Sequence, residues 1–150
     1  MKLSKIELAK EFATKAHEGQ LRKYTGKPYI THPTRVAFHA SAWTDDEDVI
    51  AAAWLHDVIE DCSIEYFELQ YQFGDKVAQL VFELTNVYTT EAYPELNRAK
   101  RKKLELERLA KISDAAKPIK LIDRYDNLCE IPLTERGFLV KYLRESRDLL

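Results

Sequence analysis

Apolar residues recur along this chain at helical spacing, and no run alternates in the manner of a half-buried strand. Ile6, Ala9, Phe12, Ala13 and Ala16 share one helical face, and Ser4 with Glu7 makes the S-x-x-E pattern of a capping box. That helix is expected to end near Gly19. The stretch "GQLRKYTGKPYITHP" (residues 19–33) holds two glycines and two prolines and reads as a loop, with Pro33 suited to the first turn of a second helix. The aspartates of "TDDEDV" offer caps for a helix running through "AAAWLHDVIEDC", residues 51–62. Ser63 is expected to cap another helix that Gly74 closes, and Asp75 a further one carrying Val77, Leu80, Val81 and Leu84. A long charged helix is expected from Glu95 to Ile112, another from Pro118 through "IKLIDRYDNL", and a last one capped by Thr134. No repeat, low-complexity tract or linker interrupts the pattern, which predicts one all-α domain over residues 1–150.

The segment "AAAWLHDVIEDC" combines two characters. Its first five residues are apolar, and then His56, Asp57, Glu60 and Asp61 arrive within six positions. On a continuous helix, with His56 at zero, Glu60 lies at ~40°, Asp57 at ~100° and Asp61 at ~140°, so the four share one side. Gathering three carboxylates beside an apolar face costs several kcal/mol unless something compensates. One compensation is a solvated final turn, although acids at a helix C-terminus oppose the dipole. The other is a divalent cation, and imidazole mixed with carboxylate suits Mn, Fe, Co or Zn. His56 and Asp57 cannot complete a metal shell alone. Further candidates are His32 in "PYITHP" and Asp123, an acid among apolar residues in "IKLIDRYDNL". Read singly, His32 is more simply a capping side chain and Asp123 an ion-pair partner.

Composition narrows the function classes. The 150 residues are 45% hydrophobic and 32% charged with a net charge of −2, which gives no electrostatic reason to expect nucleic acid or membrane as a partner. The first residues resemble no signal peptide, and no apolar run approaches the ~20 residues of a membrane span. Cys62 and Cys129 form no CxxC pair and read as thiols of a cytoplasmic protein.

Taken together, "AHEGQLRKYTGKPYITHP", "AAAWLHDVIED", "FGDKVAQLV" and "IKLIDRYDNL" resemble the small alarmone hydrolases. These correspond to the hydrolase half of RelA/SpoT enzymes and belong to the HD-domain superfamily. The resemblance runs over roughly residues 5 to 128 and implies an HD-type helical bundle. It implies that His32, His56, Asp57 and Asp123 hold one metal ion, usually manganese, and that Glu60 and Asp61 work on the attacking water. Arg22 and Lys23 match basic residues that meet the nucleotide, Asn127 matches a residue at its base or ribose, and Tyr142 resembles a substrate-contacting tyrosine. The implied activity is removal of the 3′-pyrophosphate of ppGpp or pppGpp, giving GDP or GTP. Two departures stand out: "RKYTGKP" is one residue longer than the family spacing, and the chain after Asn127 is shorter. His17 and His39 remain outside the implied ligand set, which fits one metal, and no synthetase domain is expected within these 150 residues.

The residues support this chemistry on their own terms. A dication and two aspartates are formally neutral, so Glu60 and Asp61 leave the site negative, and a polyphosphate then needs cations such as Arg22, Lys23 and Lys27. Two other functions remain open: phosphohydrolysis of another nucleotide such as NADPH, and non-enzymatic binding of the antitoxin kind, which would not need Glu60 and Asp61. The run "NRAKRKKLELERLAK" reads as a solvated helix face rather than a nucleic-acid interface.

Overall fold

Local sequence chemistry sets the ends of the first helix in the computed structural model, which describes residues 2–149. In α1 (Lys5–Ala16), the Glu7 amide donates to Ser4 Oγ at 3.2 Å and the Ser4 amide to Glu7 Oε2 at 2.7 Å, the reciprocal capping box. The helices that follow are α2 (Thr31–Ser41), α3 (Glu47–Leu55), α4 (Val58–Cys62), α5 (Tyr66–Phe73), α6 (Asp75–Leu84), α7 (Arg98–Leu109), α8 (Ala116–Glu130) and α9 (Arg136–Arg147). Among the described residues there is no strand, only an isolated antiparallel bridge between Leu21 and Pro28 in the loop before α2. The fold is all-α.

Helix α3 is the axis of the structure. Asp46 caps it by accepting from the Asp48 amide at 3.0 Å, and every residue from Val49 to Leu55 is buried. A helix apolar on all sides needs neighbours on all sides, and α1, α2 and α6 pack around this one. Leu55 is wholly buried, so truncating it to alanine should cost ~2–5 kcal/mol. Helix α8 lies against α2 and α6 on one side and α9 on the other. The first turn of α2, the end of α3 and the middle of α8 thereby meet.

Several expected boundaries move. The helix through "AAAWLHDVIEDC" is not continuous: it stops at Leu55, turns at His56 and Asp57, and resumes as α4. Glu60 and Asp61 therefore occupy the first turn of α4, where the helix dipole favours acids, rather than a C-terminus. Ser63 caps no following helix; it ends α4 in the left-handed region (φ 57°), and α5 begins after Glu65. Gly74, at φ 91°, closes α5 and opens α6, so Asp75 lies inside α6 instead of capping it. The charged helix is shorter than expected, capped by Asn97 accepting from the Lys100 amide at 2.9 Å. Helix α8 starts two residues before Pro118, which sits in its first turn. Helix α9 starts after Glu135 without a side-chain cap, so Thr134 is not its N-cap.

Candidate metal centre

The first turn of α2 supplies His32, the turn between α3 and α4 supplies His56 and Asp57, and α8 supplies Asp123. One ligand atom from each lies within 4.8 Å of all the others. His32 Nε2 is 3.1 Å from His56 Nε2 and 2.9 Å from Asp123 Oδ1, and His56 Nε2 is 3.0 Å from Asp57 Oδ2. The break after Leu55 makes this possible, because it turns His56 and Asp57 inward together while Glu60 and Asp61 stay exposed.

The outer ring nitrogens fix the chemistry of the inner ones. His56 Nδ1 donates to the Ala53 carbonyl at 2.7 Å, and a carbonyl can only accept. His32 Nδ1 lies 2.6 Å from Asp126 Oδ2, whose carboxylate is held by Arg35 at 2.6 and 2.9 Å. Both neutral rings then turn bare Nε2 lone pairs towards each other and towards two carboxylate oxygens. Four acceptors facing one point require a cation, and this donor set fits a divalent metal of the imidazole-carboxylate class. Protons are the alternative. Burial alone would lower the His32 pKa, but hydrogen bonds from Asp123, Asp126 and Asp57 outweigh it and raise it to about 9. His56 is raised against its own burial chiefly by the Asp57 charge. Burial works to raise Asp57 and Asp123, yet His56 draws the first down and Lys120 with the two histidines the second.

A surrounding shell holds the four in place. The Tyr29 hydroxyl donates to Asp57 Oδ2 at 2.7 Å, and Asn127 Nδ2 donates to Asp123 Oδ1 at 3.1 Å. Lys120 Nζ lies 3.4 Å from Asp123 Oδ2. Gln20 Nε2 donates to Asp61 Oδ2 at 3.3 Å, and the buried His17 Nδ1 meets Gln20 Oε1 at 2.8 Å while its ring stacks on Tyr29. His39 is exposed on the outer side of α2. The surrounding protein first, and then the negative Asp57, push the Glu60 carboxyl up to about 7. Asp61 is raised for the same two reasons.

The expected nucleotide-binding residues do not gather as a free cationic surface. Arg22 is buried; its Nε donates to Glu130 Oε2 at 2.6 Å and its terminal nitrogen to Asn127 Oδ1 at 2.7 Å. Asn127 thus links Arg22 to Asp123. Lys23 is exposed, with its ammonium 5.2 Å from the Tyr24 ring and 5.8 Å from Phe138. Tyr142 is buried, carries the Arg124 guanidinium 3.6 Å above its ring, and donates its hydroxyl to the Arg124 carbonyl at 3.3 Å. Sequence reasoning passed over Asp126, Arg35, Glu130, Tyr29, Gln20 and Lys120. A signal existed for Asp126, one helical turn after Asp123, and for Tyr29 inside "PYITHP".

Comparison with known proteins places this geometry. A family model described as HD domain matches residues 9–145. Guanosine-3′,5′-bis(diphosphate) 3′-pyrophosphohydrolase of Aquifex aeolicus is 37% identical over 150 residues, which are 96% of this chain and 20% of that protein. The protein of the same name from Homo sapiens is 37% identical over 127 residues, covering 82% of this chain and 67% of that one. The chain thus spans about a fifth of the length of the bacterial relative and about two thirds of the human one. A solved metazoan orthologue of SpoT, described as hydrolysing ppGpp, superposes with a TM-score of 0.83 at 30% identity, covering 99% of this chain and 85% of that one.

Proposed function

The chain belongs to the HD domain family, and on that premise we propose that it is a manganese-dependent hydrolase of the 3′-pyrophosphate of ppGpp and pppGpp. The observation that carries this reading is the convergence of four acceptors, from His32, His56, Asp57 and Asp123, beside two exposed acids. Its substrate comes from relatives named for that reaction. Residues 1–150 are read as one HD-type domain acting in the cytoplasm. Among the described residues no helix is long and apolar enough to cross a membrane.

His32, His56, Asp57 and Asp123 would hold the ion. Once bound, a divalent metal polarises a phosphoryl oxygen and makes nearby water more acidic. The protein's own groups do the rest. Asp126, clamped by Arg35, fixes His32 as the Nδ1–H tautomer, and Ala53 does the same for His56. Glu60 and Asp61 orient a water and take its proton. A carboxyl pushed up to about 7 is a competent base near neutrality, and a cation held nearby would draw it back down. A bond forms from the water oxygen to the phosphorus that carries O3′, the P–O3′ bond breaks, and O3′ leaves with a proton. Pyrophosphate and GDP result.

Lys23 meets the nucleotide directly in this reading. Arg22 and Asn127 form a linked pair that presents the Asn127 amide at the ligand Asp123. Tyr142 closes the far side as part of the Arg124 stack. The test is a screen of metal-loaded protein against ppGpp, pppGpp, NADPH and simple phosphoesters, with products identified. Release of GDP and pyrophosphate from ppGpp is expected. Cleavage of NADPH with ppGpp left intact would replace the substrate, and no turnover of any kind would favour a binding module.

A further inference from the structure

Helices α7, α8 and α9 enclose a cleft of about 540 Å³, and the Phe138 ring of α9 lies against both Arg98 at its edge (5.4 Å) and Lys23 (5.8 Å). Seven cationic side chains line it against three acids. Two of those acids are engaged inside the protein. Glu105 accepts from the Val87 and Tyr88 amides at 2.6 and 2.7 Å and from Arg108. Glu145 sits between two guanidiniums, 3.1 Å from Arg98 and 3.6 Å from Arg124. The cations are less well matched. Lys102 is half-buried and has no hydrogen bond or ion pair among the described residues; burial, with Arg98, Arg124 and Lys120, lowers its pKa against the opposing pull of Glu145. Lys141 and Arg144 are exposed on α9. Crowding like charges in a recess is unfavourable unless an anion relieves it.

The cleft communicates with the metal centre through one side chain. Lys120 forms part of its wall, and its ammonium reaches Asp123 Oδ2 at 3.4 Å and Asn86 Oδ1 at 3.5 Å. A ligand seated here would share that lysine with the metal site. The volume suits a phosphate chain with part of a nucleoside.

We infer that this cleft binds the non-reacting 5′-diphosphate chain of the substrate while the 3′-diphosphate lies at the metal centre. The assignment rests on the proposed function. Lys102 supplies a charge without a partner among the described residues, Arg98 and Arg124 supply planar donors suited to phosphate oxygens, and Glu145 marks the anion position between them. The basic run that opens α7 then has a local use: Arg98 and Lys102, one turn apart, face the cleft rather than a nucleic acid.

GDP is the appropriate probe, since it carries the 5′-diphosphate and lacks the reacting 3′ chain. Its binding to chelator-treated protein is measured by calorimetry beside that of guanosine, for the wild type, Lys102→Ala, the double variant Lys141→Ala with Arg144→Ala, and Glu145→Gln. Wild-type protein should bind GDP ~10-fold or more tightly than guanosine. Lys102→Ala and the double variant should each weaken GDP ~5–10-fold and leave guanosine unchanged, while Glu145→Gln should tighten GDP a few-fold. Alanine favours α7, so Lys102→Ala should keep the fold. Equal binding of GDP and guanosine, or GDP binding indifferent to all three substitutions, overturns the assignment. Turnover separates it from the function proposed above. If ppGpp is hydrolysed but its KM does not rise in Lys102→Ala, the cleft assignment falls and the function stands. If wild-type protein leaves ppGpp intact while GDP binding responds to Lys102→Ala, the function falls and the diphosphate site stands.

Discussion

The two sides of α8 are built on opposite principles. Towards α2 and α3 the protein gathers acceptors: two bare imidazole nitrogens and two carboxylates, buried, with the outer nitrogen of each ring and one oxygen of each carboxylate tied to a named partner. Towards α7 and α9 it gathers donors, half-buried or exposed apart from the buried Lys120, and at least one of them, Lys102, has no partner among the described residues. The acceptor side is held rigidly by Arg35, Asp126, Tyr29 and Asn127, as a site for a resident cation should be. The donor side leaves Lys102 without a partner among the described residues and Lys141 and Arg144 exposed, as suits a ligand that arrives and leaves. A buried cluster braced by its neighbours should fail abruptly when a member is removed, and a more open one gradually.

The largest effect is expected from His56→Ala. It removes a donor and leaves Asp57 and Asp123 facing each other, so bound metal and ppGpp turnover should both be lost, the latter by ~10⁴-fold or more. Metal content by elemental analysis and product release check this together. Glu60→Gln should keep the fold and the metal but lower kcat ~10²–10³-fold, because an amide cannot take the proton. Near-normal turnover in both Glu60→Gln and Asp61→Asn would remove the water-activating pair from the account. Asp126→Asn leaves the four ligands in place, loosens the His32 ring and removes the charge that Arg35 clamps. Metal affinity by chelator competition should fall ~10–100-fold, with residual activity restored at high metal.

The smallest effect concerns pH. In metal-free protein the His32 pKa is raised to about 9, above its unfolded value of ~6.5. A raised histidine pKa adds stability that is fully present below pH ~6.5 and is lost as pH rises through about 9. Melting temperature of chelated protein should therefore fall by a few degrees over that window. Added metal, which displaces those protons, should cancel the fall.

How much of this could be read from the chain differs between the two sides. His32 and Asp123, read singly a cap and an ion-pair partner, joined the ligand set only through the family resemblance, whereas His56 and Asp57 were legible as candidates because they follow directly on an apolar run. The capping box of α1 was legible for the same local reason. The break at His56 was not, because "VIEDC" continues the helical pattern and the turn is dictated by what the two side chains face. The burial of Arg22 was not legible either, because its partner Glu130 lies 108 residues away. The cleft was invisible, since α7 by itself is a charged surface helix and only its placement against α8 and α9 makes Lys102 half-buried. Local signals survive in sequence; pairings across long separations do not.

The central claim is that the acceptor cluster and its neighbouring acids direct water to the 3′ phosphorus of ppGpp. Hydrolysis in ¹⁸O-labelled water with manganese, read by mass spectrometry, tests it most directly. The account predicts one ¹⁸O in pyrophosphate, none in GDP, and no reaction once the metal is chelated. Label in GDP, stepwise release of orthophosphate, turnover that survives chelation, or no cleavage of ppGpp would contradict it.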